Sequence, residues 1–334
     1  MFIAEIGKNF VDTKKEKTEK ELFEKAKILI IEAKKAKADI VKFQVHNYID
    51  EILPNSHIVS PHFNYERKKW VKRNTYTFEF WKNIRNFCYN IGIEFLATPM
   101  SRGASILINP LVEKWKIGSG DILDFVMLDY IRKTNKPIIL SSGMHTLDEL
   151  RQSYKFLATK QIDISILHCV SEYPTMQPNL LTIPFLKKEF NKTKIGYSSH
   201  YVGIDDAITA IYLGAEIIEK HFTLNRNFWG SDHKVSLLPN EFKKMILYIK
   251  NKNFNLLNKN LYGNYGKFLF KGEKKYIKIF EKGLYAYQNI SKGQIIYDDM
   301  ICSMRSKNRA FLSNNYNKII NSIANKNYKK YDKI

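Results

Sequence analysis

Short apolar runs recur along the chain at Phe2 to Ile6, Asp39 to Phe43, Glu94 to Ala97, Lys114 to Ile117, Pro137 to Leu140, Ile164 to Leu167, Lys194 to Tyr197 and Ala215 to Ile218. The segments between them carry helical periodicity instead. Leu22, Ala26, Leu29, Ile30 and Ala33 fall on one face of the first, and Ala207, Ile208, Ile211 and Tyr212 on one face of a later one. Strands apolar on both faces, alternating with helices, predict a parallel sheet, and eight such units are what a (β/α)8 TIM barrel, an α/β fold, requires. An open doubly wound sheet is the competing architecture. The barrel is preferred because polar residues capable of chemistry fall just past the C-terminal end of nearly every run, the rim from which barrel enzymes build their sites.

Those strand-end residues are, in order, Glu5, Lys42 with Gln44, Thr98, Lys116 with Ser119, Ser141 with Ser142, Tyr173, Ser198 with His200, and His221. Two lysines, several hydroxyls and the Gly-Ser-Gly turn at Gly118 to Gly120 suit an anionic, phosphate-bearing ligand. Taken singly, each Ser or Thr reads better as the cap of the next helix. A lysine beside an apolar strand run is more telling, because it must either snorkel to water or meet an anion. The stretch from Ile195 to Leu237 contains two apolar runs that each end on a histidine, His200 and His221. Imidazoles at adjacent strand ends can hold one metal ion, although a lone histidine there more often bonds a backbone carbonyl. The same stretch supplies Asp232, a carboxylate able to order a water or a hydroxyl.

The connection from Val45 to about Thr77 is long and rich in His, Tyr, Asn and charged residues, and it reads as a lid or substrate wall. His57 and His62 lie in it without metal-ligand spacing and are read as surface residues. A glycine-rich break at Leu261 to Gly266 separates residues 1–262, the barrel, from a linker over 263–282 and a small C-terminal domain over 283–334. That last unit is too short to hold a large core and is expected to dock on a barrel.

The formal charge of +21 over 334 residues would raise nucleic acid as a partner if it were clustered. The lysines are instead spread from Thr13 to Lys37, from Glu241 to Lys259 and over the tail, which favours solvated helix faces and no nucleic-acid groove. Cys88, Cys169 and Cys302 form no Cys-x-x-Cys pair and read as buried reduced thiols. No signal-like N-terminus and no membrane-length apolar run is visible, so a soluble, cytoplasmic protein without a membrane partner is expected.

Nine motifs run in order: AEIGKN at Ala4 to Asn9, DIVKFQ at Asp39 to Gln44, FLATPMSR at Phe95 to Arg102, WKIGSGD at Trp115 to Asp121, KPIILSSGM at Lys136 to Met144, LHCVSEYPT at Leu167 to Thr175, GYSSH at Gly196 to His200, EKHFTL at Glu219 to Leu224 and GSDHKVSL at Gly230 to Leu237. Together they resemble the sialic acid synthase family, the phosphoenolpyruvate-dependent nonulosonic acid synthases. The tail, with ISKGQIIYDDM and then Arg305, is similar to that family's C-terminal antifreeze-like (SAF) domain. The resemblance implies condensation of phosphoenolpyruvate with the open-chain aldehyde of an N-acylated hexosamine, such as N-acetylmannosamine or a 2,4-diacetamido-trideoxyhexose, with release of phosphate. It implies a divalent metal, Mn2+ or Mg2+, on His200 and His221. It assigns Lys42, Thr98, Lys116, Ser119, Ser141 and Ser198 to phosphoenolpyruvate, and Gln44, Tyr173, Glu5 and Asp232 to the sugar, metal or water, with Asp232 or Glu5 moving protons. It also implies a homodimer in which a swapped C-terminal domain delivers Arg305 into the partner's site.

Several positions depart from the family pattern. Phe10 follows Asn9 where His is common. Asp121, the carboxylate expected to face the sugar, stands where Glu is typical and reaches one methylene less. Ser199 replaces the Asp usual before the first metal histidine, Ser171 an Asn, and Ser231 a Pro. The form GSDHKVSL is nearer to the sialic and legionaminic branches than to the 6-phosphate branch. Two readings compete: another phosphoenolpyruvate-dependent keto-sugar-acid synthase, and an inactive barrel that binds polyanions. The antifreeze-like tail weighs against the first, and retention of both lysines and both histidines against the second.

Overall fold

The computed structural model describes residues 1–60, 63–158, 161–307 and 312–334, so His62 lies outside the described residues. Eight parallel strands form the sheet: β1 (Phe2–Gly7), β2 (Ile40–Val45), β3 (Glu94–Pro99), β4 (Trp115–Ile117), β5 (Ile138–Ser141), β6 (Ile164–Cys169), β7 (Lys194–Ser199) and β8 (Ile218–His221). Their hydrogen-bonded order is β3-β2-β1-β8-β7-β6-β5-β4, and β3 and β4 pack against each other to bring the sheet round into a nearly closed barrel. Helices between the strands form the outer layer. The first, Glu19–Lys35, starts at a capping box in which Thr18 and Glu21 satisfy each other's backbone amides, and it buries the predicted Leu22, Ala26, Leu29, Ile30 and Ala33 face.

The period-two alternation of strands builds the barrel interior in layers. Ile3, Ile40, Leu96, Ile139, Leu167 and Ile217 make an apolar cluster distinct from the larger core under the helices. Two residues further along the same strands stand Glu5, Lys42, Thr98, Ser141, Cys169 and Glu219, all lining one cavity. An apolar plug therefore forms the floor and the next inward layer is polar. The register Ile3 with Ile40 and Glu5 with Lys42 sets the layers level across β1 and β2. At the top of β1 the ladder slips at Gly7, whose φ of +56° suits glycine and where a Cβ would come within 2.9 Å of a Glu5 carboxylate oxygen.

The eighth run differs from its expected limits. Ala215 to Ile218 reads as the strand from its apolarity, but the ladder spans Ile218 to His221 and includes two buried charges, Glu219 and Lys220. They are tolerated because each is paired, Lys220 with Asp206 at 3.0 Å and Glu219 with Lys42 at 3.5 Å.

The segment after the barrel is ordered by specific contacts. Leu180 and Leu181 donate backbone amides to the Leu261 and Tyr262 carbonyls, and Asn179 brackets Asn264 with two hydrogen bonds. A helix, Lys274–Phe280, then lies over the barrel mouth. Glu273, just before it, accepts from the backbone amides of Met144 and Ser171, each at 2.8 Å, and so ties this segment to the loops after β5 and β6. Beyond it β9 (Gly283–Ala286) pairs antiparallel with β10 (Ile301–Met304). Arg305 then bridges in parallel to Ile52 in the loop after β2. Among the described residues no helix is long and apolar enough to cross a membrane.

Candidate active site

The cavity opens at the C-terminal rim of the barrel, and its floor is a charged cluster. Lys42 Nζ lies 2.6 Å from Glu5 Oε2 and 3.5 Å from Glu219 Oε1, and donates to Thr98 Oγ1 at 3.0 Å. Lys116 Nζ donates to Ser141 Oγ at 2.6 Å and to the Ile117 carbonyl at 3.1 Å. Ser198 donates to Glu219 at 3.1 Å, and Gln44 to Glu5 at 2.9 Å. Ser119 Oγ accepts from the Gly143 amide at 3.1 Å. All these side chains sit on adjacent strands or just past them, so the sheet itself sets their spacing.

Burial decides the protonation pattern. It pushes the Glu5 carboxyl up, against the pull of Lys42, and the nearby Glu219 charge adds to the rise. For Glu219 burial acts the same way, but Lys116 and Lys42 outweigh it and hold its carboxyl below the usual range. The two carboxylates flanking Lys42 are thus pushed apart, Glu219 to the anion and Glu5 toward a group that carries a proton. Burial also lowers the Lys116 ammonium to about 8.

His200 and His221 come together as expected, ring centroids 5.3 Å apart, with the Tyr173 ring 3.9 Å from His200. His200 Nδ1 lies 3.0 Å from the Val170 carbonyl, a contact that orients the ring and leaves Nε2 as its ligand atom. His221 Nδ1 is buried without a hydrogen-bond partner, and burial lowers its imidazole to about 3, the neutral form a metal requires. The donor set fits a divalent ion held by two imidazoles, with its other positions left to substrate and water. Among the described residues no group of three His, Cys, Asp or Glu side chains is arranged around one metal position. Asp232 stands on the same side of the cavity, 3.8 Å from Lys8 Nζ, and Lys8 also bonds Gln44.

Two expected residues behave differently. Arg305 is buried and does not line the cavity. Within this chain it meets Glu51 in the loop after β2 and Asp121 in the turn after β4, each at 2.8 Å. Asp121 reaches the cavity, but its carboxylate is held by Arg305 at 2.8 and 3.0 Å and by Lys282 at 2.9 Å. A Cβ on Gly120 would meet the Phe280 side chain at 2.9 Å, so the glycine turn lets the C-terminal segment approach.

The departures from the family pattern have local explanations. Phe10 packs against Phe43, Tyr76 and Phe80 at centroid distances of 6.0, 5.6 and 5.9 Å, in the core and not at the site. Ser199 bonds Asp206 and accepts from Lys220 at 2.9 Å, so the acid near this position comes from the following helix. Ser171 contributes its amide to Glu273. Ser231 lines the cavity beside Asp232. His57 is exposed, 3.4 Å from Glu66. The three cysteines are buried and unpaired.

Sequence reasoning did not single out Lys8, Arg67, Cys169, Glu219 and Phe280 as site residues, yet all line the cavity. Glu219 and Cys169 carried a signal, the inward period that also picks out His221 and Leu167. Arg67 and Phe280, in the lid and the C-terminal segment, carried none.

Residues 29–260 match the NeuB family. The chain is 39% identical over 243 residues to the N,N'-diacetyllegionaminic acid synthase of Campylobacter jejuni, covering 71% of this chain and 70% of that protein. Its structure is similar to that of the spore coat polysaccharide biosynthesis protein SpsE of Bacillus subtilis, with a TM-score of 0.77 and 25% identity over 98% of this chain and 92% of that one. It is also similar to an N-acetylneuraminic acid synthetase of Leptospira borgpetersenii, with a TM-score of 0.65 and 27% identity over 83% and 90% of the two chains. The chain belongs to the NeuB family, the sialic acid synthases to which its motifs pointed.

Proposed function

We propose that this protein condenses phosphoenolpyruvate with the open-chain aldehyde of a neutral N-acylated hexosamine, releasing phosphate and leaving a nine-carbon 2-keto acid. The observation that carries the reading is the pair of buried lysines, Lys42 and Lys116, on the floor of a cavity whose rim holds His200 and His221.

Lys42 and Lys116, with Thr98, Ser119, Ser141 and Ser198, bind the phosphate and carboxylate of phosphoenolpyruvate as cations and hydroxyl donors. His200 and His221 would hold a divalent ion, which would supply Lewis-acid polarisation of the aldehyde oxygen. The enol carbon attacks the aldehyde carbon, and the aldehyde oxygen takes the electron pair and then a proton from Glu5 or Asp232. Water adds to the resulting cationic C2 and gives up a proton. The tetrahedral intermediate then expels phosphate by C–O cleavage, which leaves the keto group. Glu5 suits the proton-carrying role because burial and Glu219 both raise it.

A neutral acceptor is favoured by charge balance toward the outer end of the site. Arg67 and Arg305 share Glu51, Arg305 and Lys282 share Asp121, Lys282 also meets Asp124, and Lys8 faces Asp232. A sugar phosphate would compete with carboxylates already in place for each of these cations. The test is phosphate release from phosphoenolpyruvate with Mn2+ or Mg2+, against N-acetylmannosamine, its 6-phosphate and 2,4-diacetamido-trideoxyhexoses. Turnover with an unphosphorylated member is expected. Turnover with the 6-phosphate alone removes the charge argument, and silence across the panel from a folded protein removes the synthase reading.

A further inference from the structure

His200 and His221 stand at the ends of neighbouring strands, yet the ladder that joins those strands stops one residue short of them. Its last pair is Ser199 with Lys220. Beyond that pair His221 is matched with Glu5 of β1 on its other side, while His200 lies past the end of β7. Among the described residues, no ladder pair between β7 and β8 therefore holds the two rings at their centroid separation of 5.3 Å.

The side chains of the last pair provide the link instead. Strand alternation turns Ser199 and Lys220 away from the cavity that Ser198, His200, Glu219 and His221 line. On that outer face Lys220 Nζ donates to Ser199 Oγ at 2.9 Å, to the Tyr201 carbonyl at 2.8 Å and to the two oxygens of Asp206 at 3.0 and 3.1 Å. Ser199 Oγ in turn donates to Asp206 and accepts from the Tyr201 amide at 3.1 Å. His200 is thus bracketed. The residues before and after it both bond Lys220, and Lys220 directly precedes His221. Asp206, in the helix Asp205–Tyr212, fixes the whole group to the next layer.

Stability by itself does not explain an ion pair at this place. Both charges are fully buried, and apolar residues of similar volume often do as well, because desolvation offsets the attraction. What an ammonium offers that an apolar side chain lacks is three directed N–H donors. Here they reach both flanks of His200 and the carboxylate behind them.

We propose that Lys220 is a positioning residue which, through Ser199, the Tyr201 carbonyl and Asp206, sets the separation of the His200 and His221 imidazoles and with it the affinity of the site for a divalent ion. The inference rests on the reading of these histidines as metal ligands and adds to it the group that holds them in register.

The test titrates Mn2+ into metal-free full-length protein, read by calorimetry and by the electron paramagnetic resonance of free Mn2+, for wild type, His200→Ala, Ser199→Ala and the double variant Lys220→Met with Asp206→Leu. Phosphoenolpyruvate binding without metal and the urea unfolding midpoint are measured on the same samples. The double variant is expected to unfold close to wild type but to bind Mn2+ roughly ten- to a hundred-fold more weakly, and Ser199→Ala about tenfold more weakly, with phosphoenolpyruvate affinity unchanged in both. Wild-type Mn2+ affinity in the folded double variant and in Ser199→Ala overturns the positioning role and leaves the metal site standing. If the double variant does not fold, Ser199→Ala decides alone. A wild type that binds no Mn2+, or binds it equally well after His200→Ala, overturns the metal reading and the inference together.

Discussion

Arg305 and Asp121 form a two-point ion pair, with Nη2 2.8 and 3.0 Å from the two carboxylate oxygens and both side chains buried, although 184 positions of sequence separate them. The pair joins the C-terminal segment to the turn after β4, and Lys282 Nζ reinforces it from 2.9 Å. The small C-terminal unit thus docks behind the wall of the site, where Asp121 and Phe280 line the cavity.

Removing this arginine should be felt in stability as well as turnover. Arg305→Ala leaves Glu51 and Asp121 short of a buried partner and is expected to cost about 3–5 kcal/mol in urea unfolding. Mixing Arg305→Ala with His221→Ala protein under subunit exchange tests whose barrel the arginine serves: no phosphate release from proven mixed dimers would assign it to its own. Recovery, with mixed dimers shown to form, would place it in a partner's site.

The imidazole pair predicts a metal requirement. Replacing His200 or His221 with Ala should abolish chelator-sensitive turnover while circular dichroism and the unfolding midpoint stay close to wild type. Full activity in either variant would refute the assignment.

Lys116 sets a pH limit on phosphoenolpyruvate binding. Its pKa is lowered by burial from the ordinary 10.5 to about 8, so it is a cation at pH 7 and loses its proton as pH rises past that value. Affinity for phosphoenolpyruvate should therefore fall above about pH 8, by up to roughly tenfold per pH unit, with one proton taken up on binding. Stability has the opposite sign. Between about pH 8 and 10.5 the unfolded chain binds more protons at this site than the folded one, so its contribution to folding improves as pH rises. Calorimetry in buffers of different ionisation enthalpy reads the proton uptake. A flat affinity profile to pH 9.5 would show that Lys116 is not the group responsible.

The pair formed by Lys220 and Asp206 is fully buried, and its role is to lock β8 to the helix Asp205–Tyr212. Lys220→Met strands the carboxylate and should cost about 3–5 kcal/mol, while adding Asp206→Leu should return most of the loss. Equal destabilisation in the single and double variants would show that packing, not the pair, holds this contact.

Much of the barrel was legible residue by residue. Seven of the apolar runs start within a residue of their strands, and the eighth was misplaced because Glu219 and Lys220 look like a strand end on polarity alone. Lys42, Lys116, His200 and His221 were legible because each follows an apolar run on the rim. Arg305 carried a motif signal, but its environment of Glu51, Asp121 and Phe280 carried none.

The sequence by itself determined the layered barrel and the chemistry of its floor. Strand periodicity is a local property, so placing Ile3, Ile40 and Leu96 inward also places Glu5, Lys42 and Thr98 inward two residues later. Only the tertiary structure decided which arginine faces the cavity. A buried charge is tolerated where it finds a partner, and Glu51 meets Arg305 across 254 positions through the docking of one unit on another, which no local pattern encodes.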